Sequence, residues 1–224
     1  MKKVYKIGFI TTFTIILFYI SILYFGLILM NEKDFHIDLS DLKTELQDGD
    51  IIFHTSKSIQ SKAIQLATKS KYSHMGMIYK KNGVTYVYEA VQPVKLTQID
   101  NWIKRGEKGH YVVKRLKESV GILTPNIKLK MKEIGNEYIG KDYDIYFEWT
   151  DEKIYCSELI WKIYKRATKI EIGKLETLKD FDLSNKLVKQ KMIERYGNKI
   201  QLDEIVISPA RIYNSDKLTT VYSE

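Results

Sequence analysis

Residues 7–30 form a run of 24 residues without a charged side chain, and this run most constrains how the chain folds. About 20 apolar residues in a helix cross the hydrocarbon core of a bilayer. The apolar region of a cleavable signal peptide is shorter, and no Ala-x-Ala cleavage site follows Leu29 and Met30. The run therefore predicts an uncleaved membrane anchor over residues 1–31. A cleaved signal, which would release a secreted or periplasmic domain, is the alternative.

Three lysines precede the apolar run and set its expected orientation. Lys2, Lys3 and Lys6 stay in the cytoplasm under the positive-inside rule. We therefore expect a single-pass protein of the cell membrane, whose C-terminal part faces the periplasm or the cell exterior.

The remainder of the chain is long enough for one domain. Lysines scattered among acids give it a charge of about +5, which suits a surface near anionic lipid or cell-wall polymer, and we find no motif for nucleic acid. The sequence from Ser208 onward is typical of a surface tail. We divide this part into a linker (32–45), a folded domain (46–215) and a tail (216–224).

Apolar periodicity predicts an α+β domain. Asn82-Gly83 joins two strand-like runs, which is the strongest short signal of a β-hairpin. Ser58 is a suitable N-cap for a helix that follows it, and another amphipathic helix begins at Cys156. Strands cluster in the first half of the domain, which indicates an antiparallel sheet packed against helices. Other expected strands are 51–56, 110–116 and 204–209, and other expected helices are 96–106, 126–140 and 184–197.

Cys156 is the single cysteine of the chain, so it cannot form an internal disulfide. Free cysteines often pack as small hydrophobic residues. An unpaired thiol in an exported domain is open to oxidation, however, and a helix start favours the thiolate through its free N–H groups and its dipole. Cys156 is therefore either a buried packing residue or a nucleophile.

All four histidines precede Cys156, so any base that pairs with the thiol comes earlier in the chain. His74 opens a predicted strand, and Gly76 two residues later is expected to leave open space on the same face. His54 alternates with Phe53, which predicts that one of the two faces solvent. The remaining histidines are expected in the linker (His36) and exposed at a strand start (His110).

Glu89 lies across the predicted hairpin from His74. Pairing the strands around the Asn82-Gly83 turn places residue 91 opposite His74, so Glu89 is a diagonal neighbour on the same face. Glu89 is either an outward-facing strand residue or the group that orients the imidazole, as an acid does in a catalytic triad.

Five separated stretches together resemble the YiiX-like proteins, which are circularly permuted relatives of the NlpC-type papain-fold cysteine peptidases. The resemblance covers about residues 46–215 and implies a permuted papain-like fold in which the histidine strand precedes the cysteine helix. The stretches are, in order, GDIIF, KYSHMGMIY, YEAVQPVKLT, YIGKDYDIYFEW and IYCSELIW.

The resemblance also implies roles for residues of this chain. Cys156 would be the nucleophile, His74 the base and Glu89 the third member of a triad. Tyr143 would line the site beside the thiol, and Tyr72 is a further candidate for substrate binding. No cofactor or metal is implied.

Two positions depart from the pattern of the unpermuted enzymes. Asp142 replaces a proline, which would alter the local turn, and Glu158 replaces a glycine. An acid in the first turn of the cysteine helix suits the helix dipole but disfavours a nearby thiolate.

The sequence thus predicts a thiol-dependent amide hydrolase that acts through a thioester, with a peptide or acyl-amide substrate. Cell-wall peptides and N-acyl lipids both remain open, as does acyl transfer in place of hydrolysis. A binding module for an amine or acyl ligand is a second hypothesis. A metal hydrolase that uses His54, His74 and Glu89 is a third, without His-x-x-x-His or Cys-x-x-Cys spacing to support it.

Overall fold

The structure is a computed structural model that describes residues 45–224. The apolar run at 7–30, which the sequence predicts to be a membrane anchor, lies outside the described residues. Among residues 45–224, no helix combines the length and the apolar composition that crossing a bilayer needs.

Six antiparallel strands form the main sheet, in the spatial order β4-β3-β2-β1-β5-β8. This confirms the predicted antiparallel sheet with helices packed against it. A separate two-stranded sheet pairs β6 (Glu176–Thr177) with β7 (Ile205–Val206). The strands of the main sheet are β1 (Ile51–Ser56), β2 (His74–Lys81), β3 (Val84–Glu89), β4 (Lys95–Gln98), β5 (Gly106–Leu116) and β8 (Leu218–Ser223).

Four of the helices in residues 45–224 begin at a capping side chain. The Ser58 hydroxyl accepts from the Ser61 N–H at the start of α1, as its position predicts, and Thr124 caps α4 in the same way. A 3-10 turn covers Leu178–Asp180. The helices are α1 (Ile59–Thr68), α2 (Ile99–Lys104), α3 (Ser119–Ile122), α4 (Pro125–Tyr138), α5 (Cys156–Thr168), α6 (Lys186–Tyr196) and α7 (Pro209–Tyr213).

The β2–β3 hairpin has the predicted register. Asn82 and Gly83 both adopt positive φ, at 51° and 76°, and Met77 pairs with Tyr88. The expectation of open space at Gly76 is wrong, because a Cβ there would lie 2.3 Å from Val87 Cγ1. Gly76 instead lets β3 approach β2 closely.

The prediction of a surface tail is also wrong. Leu218–Ser223 is the edge strand β8, paired antiparallel with β5, and Leu218 is buried. Upstream of it, Ser208 caps α7 and Ile212 is fully buried. The expected strand at 204–209 shrinks to the two residues of β7. Apolar residues are sparse in this segment, so its strand depends on pairing with β5, about a hundred residues away in sequence.

Helix α5 carries the cysteine and packs against both α4 and strand β2. Its apolar side chains Leu159, Ile160, Ile163 and Tyr164 are fully buried in the main core. Burial of each such side chain contributes about 1.5–3 kcal/mol, so the helix is held firmly on the sheet. The N-terminus of α5 is thereby fixed close to the start of β2.

Candidate active site

Cys156 is the first residue of α5 and is almost fully buried. Tyr155 is the N-cap, and the first main-chain bond of the helix runs from the Leu159 N–H to the Tyr155 carbonyl. The N–H groups of the first turn have no partner within a helix. The thiol therefore lies at the positive end of the helix dipole.

His74 is the first residue of β2 and connects the thiol to an acid. Its Nε2 lies 2.8 Å from Glu89 Oε2, and its ring interacts electrostatically with the Cys156 thiol. Burial alone would lower the pKa of His74, but its interactions with Cys156 and Glu89 raise that pKa to about 9. The structure thus brings Cys156, His74 and Glu89 together in one chain of contacts.

Glu89 is completely buried at the end of β3, so the outward-facing alternative for it is wrong. Its second oxygen, Oε1, accepts from Thr97 Oγ1 at 2.5 Å and from the Arg105 guanidinium. Burial would raise the pKa of Glu89, but His74, Thr97 and Arg105 together lower it. The carboxylate is therefore ionised, with Oε2 directed at the imidazole.

Sequence reasoning missed Thr97 and Arg105. Thr97 lies on β4, which pairs with β3, and Arg105 follows α2 at the start of β5. In the sequence, Arg105 stands between Lys104 and Gly106, a position that is typical of a solvent-exposed cation at the end of a helix. Only the pairing of β3 with β4 could have indicated that Thr97 meets Glu89.

His54 lies behind His74 and not in solvent. Its ring stacks on Trp102 at 3.9 Å between centroids and is 5.3 Å from the His74 ring. Both His54 and Phe53 are buried, so the expectation that one of them faces solvent is wrong. Burial, followed by the charges of His74 and Arg105, lowers the pKa of His54 to about 2, so its imidazole is neutral. His110, in contrast, is exposed as predicted.

Of the two tyrosines predicted to bind substrate, only Tyr143 lies beside the thiol. It forms a bridge with Ile154, two residues before Cys156, and its hydroxyl accepts from Gln60 Nε2 at 3.2 Å. Tyr72 is buried in the core, where its ring packs 4.3 Å from Tyr213. This packing places Tyr72 in the core, and the family motif that contains Tyr72 does not reveal it.

Two cavities meet at the site, and their linings differ. The first contains Cys156 and has about 740 Å³ of empty space, which includes open solvent at its mouth. Its walls come mostly from apolar side chains of α1, α6 and the 3-10 region, including Ala63, Ala67, Leu178, Phe181, Val188 and Met192. The second is an open groove that contains His74, and its lining is more polar than that of the first, with Ser56, Ser58, Ser73, Gln92, Asp142 and Lys153 among its residues.

The two departures from the family pattern are accommodated locally. Asp142 is exposed and accepts from Gln92 Nε2 at 2.5 Å. Glu158 is fully buried, and its Oε1 lies 2.7 Å from Lys162 Nζ. Burial raises the pKa of Glu158 to about 8, although Lys162 opposes the shift. Protonation and the Lys162 cation both weaken the repulsion that a first-turn acid exerts on a thiolate.

A cysteine at a helix start, facing a histidine of an antiparallel sheet that an acid orients, is the arrangement of a papain-like cysteine hydrolase with the histidine strand placed first. The chain belongs to the family of permuted papain-like amidase enzymes, YaeF/YiiX, C92, whose profile matches residues 45–222.

Relatives of known sequence and structure agree with this assignment. YiiX of Escherichia coli K12, described as uncharacterized, is 48% identical over 178 residues, which is 80% of this chain and 87% of that protein. The crystal structure of YiiX from E. coli O157:H7 matches with a TM-score of 0.76 and 49% identity, over 80% of this chain and 97% of that one.

The solved relative is described as a metalloprotein, so we tested whether this chain has a fitting donor set. Within residues 45–224, no group of three or more His, Cys, Asp or Glu side chains could hold a metal ion. His54 stacks on Trp102 and His74 is bonded to Glu89, and the set proposed from the sequence is not among residues that could hold a metal ion in the described part of the chain.

Proposed function

We propose that this protein is a cysteine amidase that cleaves the amide bond between a long-chain acyl group and a polar amine. The observation that carries this proposal is the position of the catalytic pair between two unlike cavities. Cys156 lines the apolar cavity, and His74 lines the polar groove.

The chemistry follows from that pair. The Cys156 thiolate attacks the amide carbonyl carbon, a C–S bond forms, and the carbonyl π electrons move onto oxygen. The tetrahedral intermediate collapses as the C–N bond breaks, and the leaving nitrogen takes a proton from His74. A thioester remains on Cys156. His74 then accepts a proton from water, the hydroxide equivalent attacks the thioester, and a carboxylic acid leaves with the thiolate restored.

In this proposal, the acyl half and the amine half of the substrate occupy different cavities. The nucleophile bonds to the acyl carbon, so the acyl chain lies on the side of Cys156, in the apolar cavity. The acid that protonates the leaving amine is His74, so the amine lies in the polar groove. Burying an alkyl chain gains about 0.8 kcal/mol per CH₂ group, whereas an unpaired polar group in the same cavity is penalised.

This geometry favours an N-acyl lipid over a cell-wall peptide, because a stem peptide would place its polar backbone in the apolar cavity. A membrane anchor at residues 7–30, which is still a prediction, would hold the domain near such lipids. Acyl transfer would follow the same path if an amine or alcohol in the groove replaced water.

The first test uses the purified full-length chain in nanodiscs. We expect N-dodecanoyl-alanine to be hydrolysed faster than N-acetyl-alanine and faster than a peptidoglycan stem peptide. Cys156→Ala and His74→Ala should each lose about 10³-fold or more in kcat/KM, since each removes a member of the reacting pair. The exposed histidine supplies a matched control, and His110→Ala should match wild type.

Iodoacetamide labelling of Cys156 at pH 6 reports on the pair without a substrate. Labelling should be fast in wild type and in His110→Ala, and slow in His74→Ala, because a neighbouring imidazolium stabilises the reactive thiolate. If Cys156 is labelled equally fast in wild type and in His74→Ala, the amidase proposal is refuted. Labelling that depends on His74 with no turnover of any amide would favour the binding module.

A further inference from the structure

The boundary between the two cavities is formed by side chains that line both of them. Gln60, Ile64 and Tyr143 belong to the apolar cavity and also to the polar groove. Gln60 and Tyr143 are joined across this boundary by the hydrogen bond from Gln60 Nε2 to the Tyr143 hydroxyl. A substrate with its acyl part in one cavity and its amine part in the other has its scissile bond beside this pair.

The hydrogen bond determines where the Tyr143 proton can go. A phenol has one O–H proton and accepts through its oxygen lone pairs. Because the oxygen accepts from Gln60, the O–H proton is directed away from Gln60. Burial, and then the charge of Cys156, raises the pKa of Tyr143, so the hydroxyl keeps its proton at neutral pH. Tyr143 therefore offers a donor beside the thiol.

Contacts between helix α1 and the start of β2 hold Gln60 in a fixed position relative to His74. Gln60 is the second residue of α1, whose first turn is capped by Ser58. The Ser61 hydroxyl contacts the Ser73 hydroxyl, and Ser73 directly precedes His74 in the chain. Ser73 also accepts from the Ser56 N–H at 3.0 Å. These contacts tie the first turn of α1 to the start of β2.

We infer that Gln60 is a positioning residue of the oxyanion site: its donated hydrogen bond turns the Tyr143 hydroxyl proton toward the carbonyl oxygen under attack. This inference rests on the proposed amidase function. When the C–S bond forms and the π electrons move onto oxygen, that oxygen accepts from the Tyr143 O–H and from the free Cys156 N–H. No proton leaves Tyr143, which acts only as a donor.

The test compares two glutamines of the same helix. Gln60→Leu removes the donor to Tyr143. Gln65→Leu is the matched control, since Gln65 Nε2 donates to the Lys71 carbonyl at 2.8 Å, outside the linings of both cavities. We expect kcat to fall about 10-fold in Gln60→Leu with KM within 2-fold of wild type, and no change in Gln65→Leu. Tyr143→Phe should fall by about 10²-fold, the range for loss of one oxyanion donor.

Two readouts separate positioning from a structural effect. Gln60→Leu should add almost nothing in the Tyr143→Phe background, because its effect passes through the missing hydroxyl. Iodoacetamide labelling of Cys156 should be unchanged, since alkylation forms no oxyanion. A loss in Gln60→Leu that persists without the Tyr143 hydroxyl, or that slows alkylation, would overturn the inference.

An aldehyde tests the oxyanion site without amide turnover. The Cys156 thiolate adds to the carbonyl of dodecanal to give a hemithioacetal, whose oxygen occupies the oxyanion position. We expect dodecanal to bind about 10-fold more weakly to Gln60→Leu than to wild type or Gln65→Leu. Equal binding in all three would refute the role of Gln60. If wild type cleaves no amide, the amidase proposal fails, while the dodecanal comparison still decides the role of Gln60.

Discussion

At the residue scale, two histidines on paired strands differ in charge because their surroundings differ. His54 and His74 are partners in the β1–β2 register. Interactions with Cys156 and Glu89 favour the imidazolium of His74. The His54 ring is enclosed by Trp102, and burial together with two nearby cations favours its neutral form. Glu89 thus acts on His74 through a hydrogen bond, and Arg105 acts on His54 through its charge.

These two shifts predict that the histidines together stabilise the fold most near pH 6.5. The pKa of His74 rises from 6.5 to about 9 on folding, so its stabilisation is complete below pH 6.5 and is lost as the pH rises toward 9. The pKa of His54 falls from 6.5 to about 2, so stability is lost as the pH drops below 6.5, where only the unfolded chain takes up that proton.

His54→Phe should keep the stacking on Trp102 and remove the loss of stability that His54 causes below pH 6.5. A group protonated only in the unfolded state costs about 1.4 kcal/mol per pH unit. We therefore expect the melting temperature to fall less between pH 6.5 and 5 in His54→Phe than in wild type, as followed by tryptophan fluorescence. His110→Phe, at an exposed position, is the control. A wild-type slope in His54→Phe would contradict the assignment of a neutral buried imidazole.

At the element scale, helices α1 and α6 are the walls of the proposed acyl site. They pack against each other, and the apolar cavity lies between them and the start of α5. Helix α1 therefore contributes to both halves of the site: Gln60 in its first turn lines the groove and the cavity, and Ala67 in its last turn lines the cavity.

Ala67→Phe should shorten the cavity and make the enzyme selective for shorter chains. We expect KM for N-dodecanoyl-alanine to rise about 10-fold or more. Several methylene groups would no longer fit in the cavity, and each contributes about 0.8 kcal/mol to binding when it is buried. The kinetics with N-butanoyl-alanine should stay within 2-fold of wild type. Lys62→Phe, on the exposed side of the same helix, should change neither substrate. Equal effects on both chain lengths would show that the acyl chain binds elsewhere.

At the scale of the whole molecule, the sheet is completed by the C-terminal strand. β8 pairs with β5, and β5 in turn pairs with β1, the neighbour of the histidine strand. Without β8, the long strand β5 would present an open edge with unpaired N–H and C=O groups. The end of the chain is thus linked to the site through two intervening strands.

Leu218→Ala tests this role of the C-terminal strand. Truncating a buried leucine costs about 2–5 kcal/mol, so we expect a clear drop in the melting temperature of the full-length chain. Thr219→Ala, at the adjacent exposed position, should change stability by less than about 0.5 kcal/mol. If both variants match wild type, residues 216–224 behave as the surface tail that the sequence predicts.

The sequence by itself determined the features that depend on near neighbours. The Asn82-Gly83 turn and strand alternation defined the hairpin register, and they placed Glu89 on the face of His74. Capping residues and helical spacing defined the start of α1 and the start of α5 at Cys156. The separated motifs indicated the family. Apart from the family motifs, each of these signals is carried by residues within about one or two turns or strand pairs of each other.

Only the tertiary structure decided what surrounds the triad. Arg105 and Thr97 reach Glu89 because β4 and the start of β5 fold beside β3, and Gln60 reaches Tyr143 across 83 residues of sequence. The apolar cavity combines side chains from α1, α6 and the 3-10 region, none of which has a distinctive pattern alone. Such contacts follow from long-range packing, which leaves no local periodicity in the sequence to read.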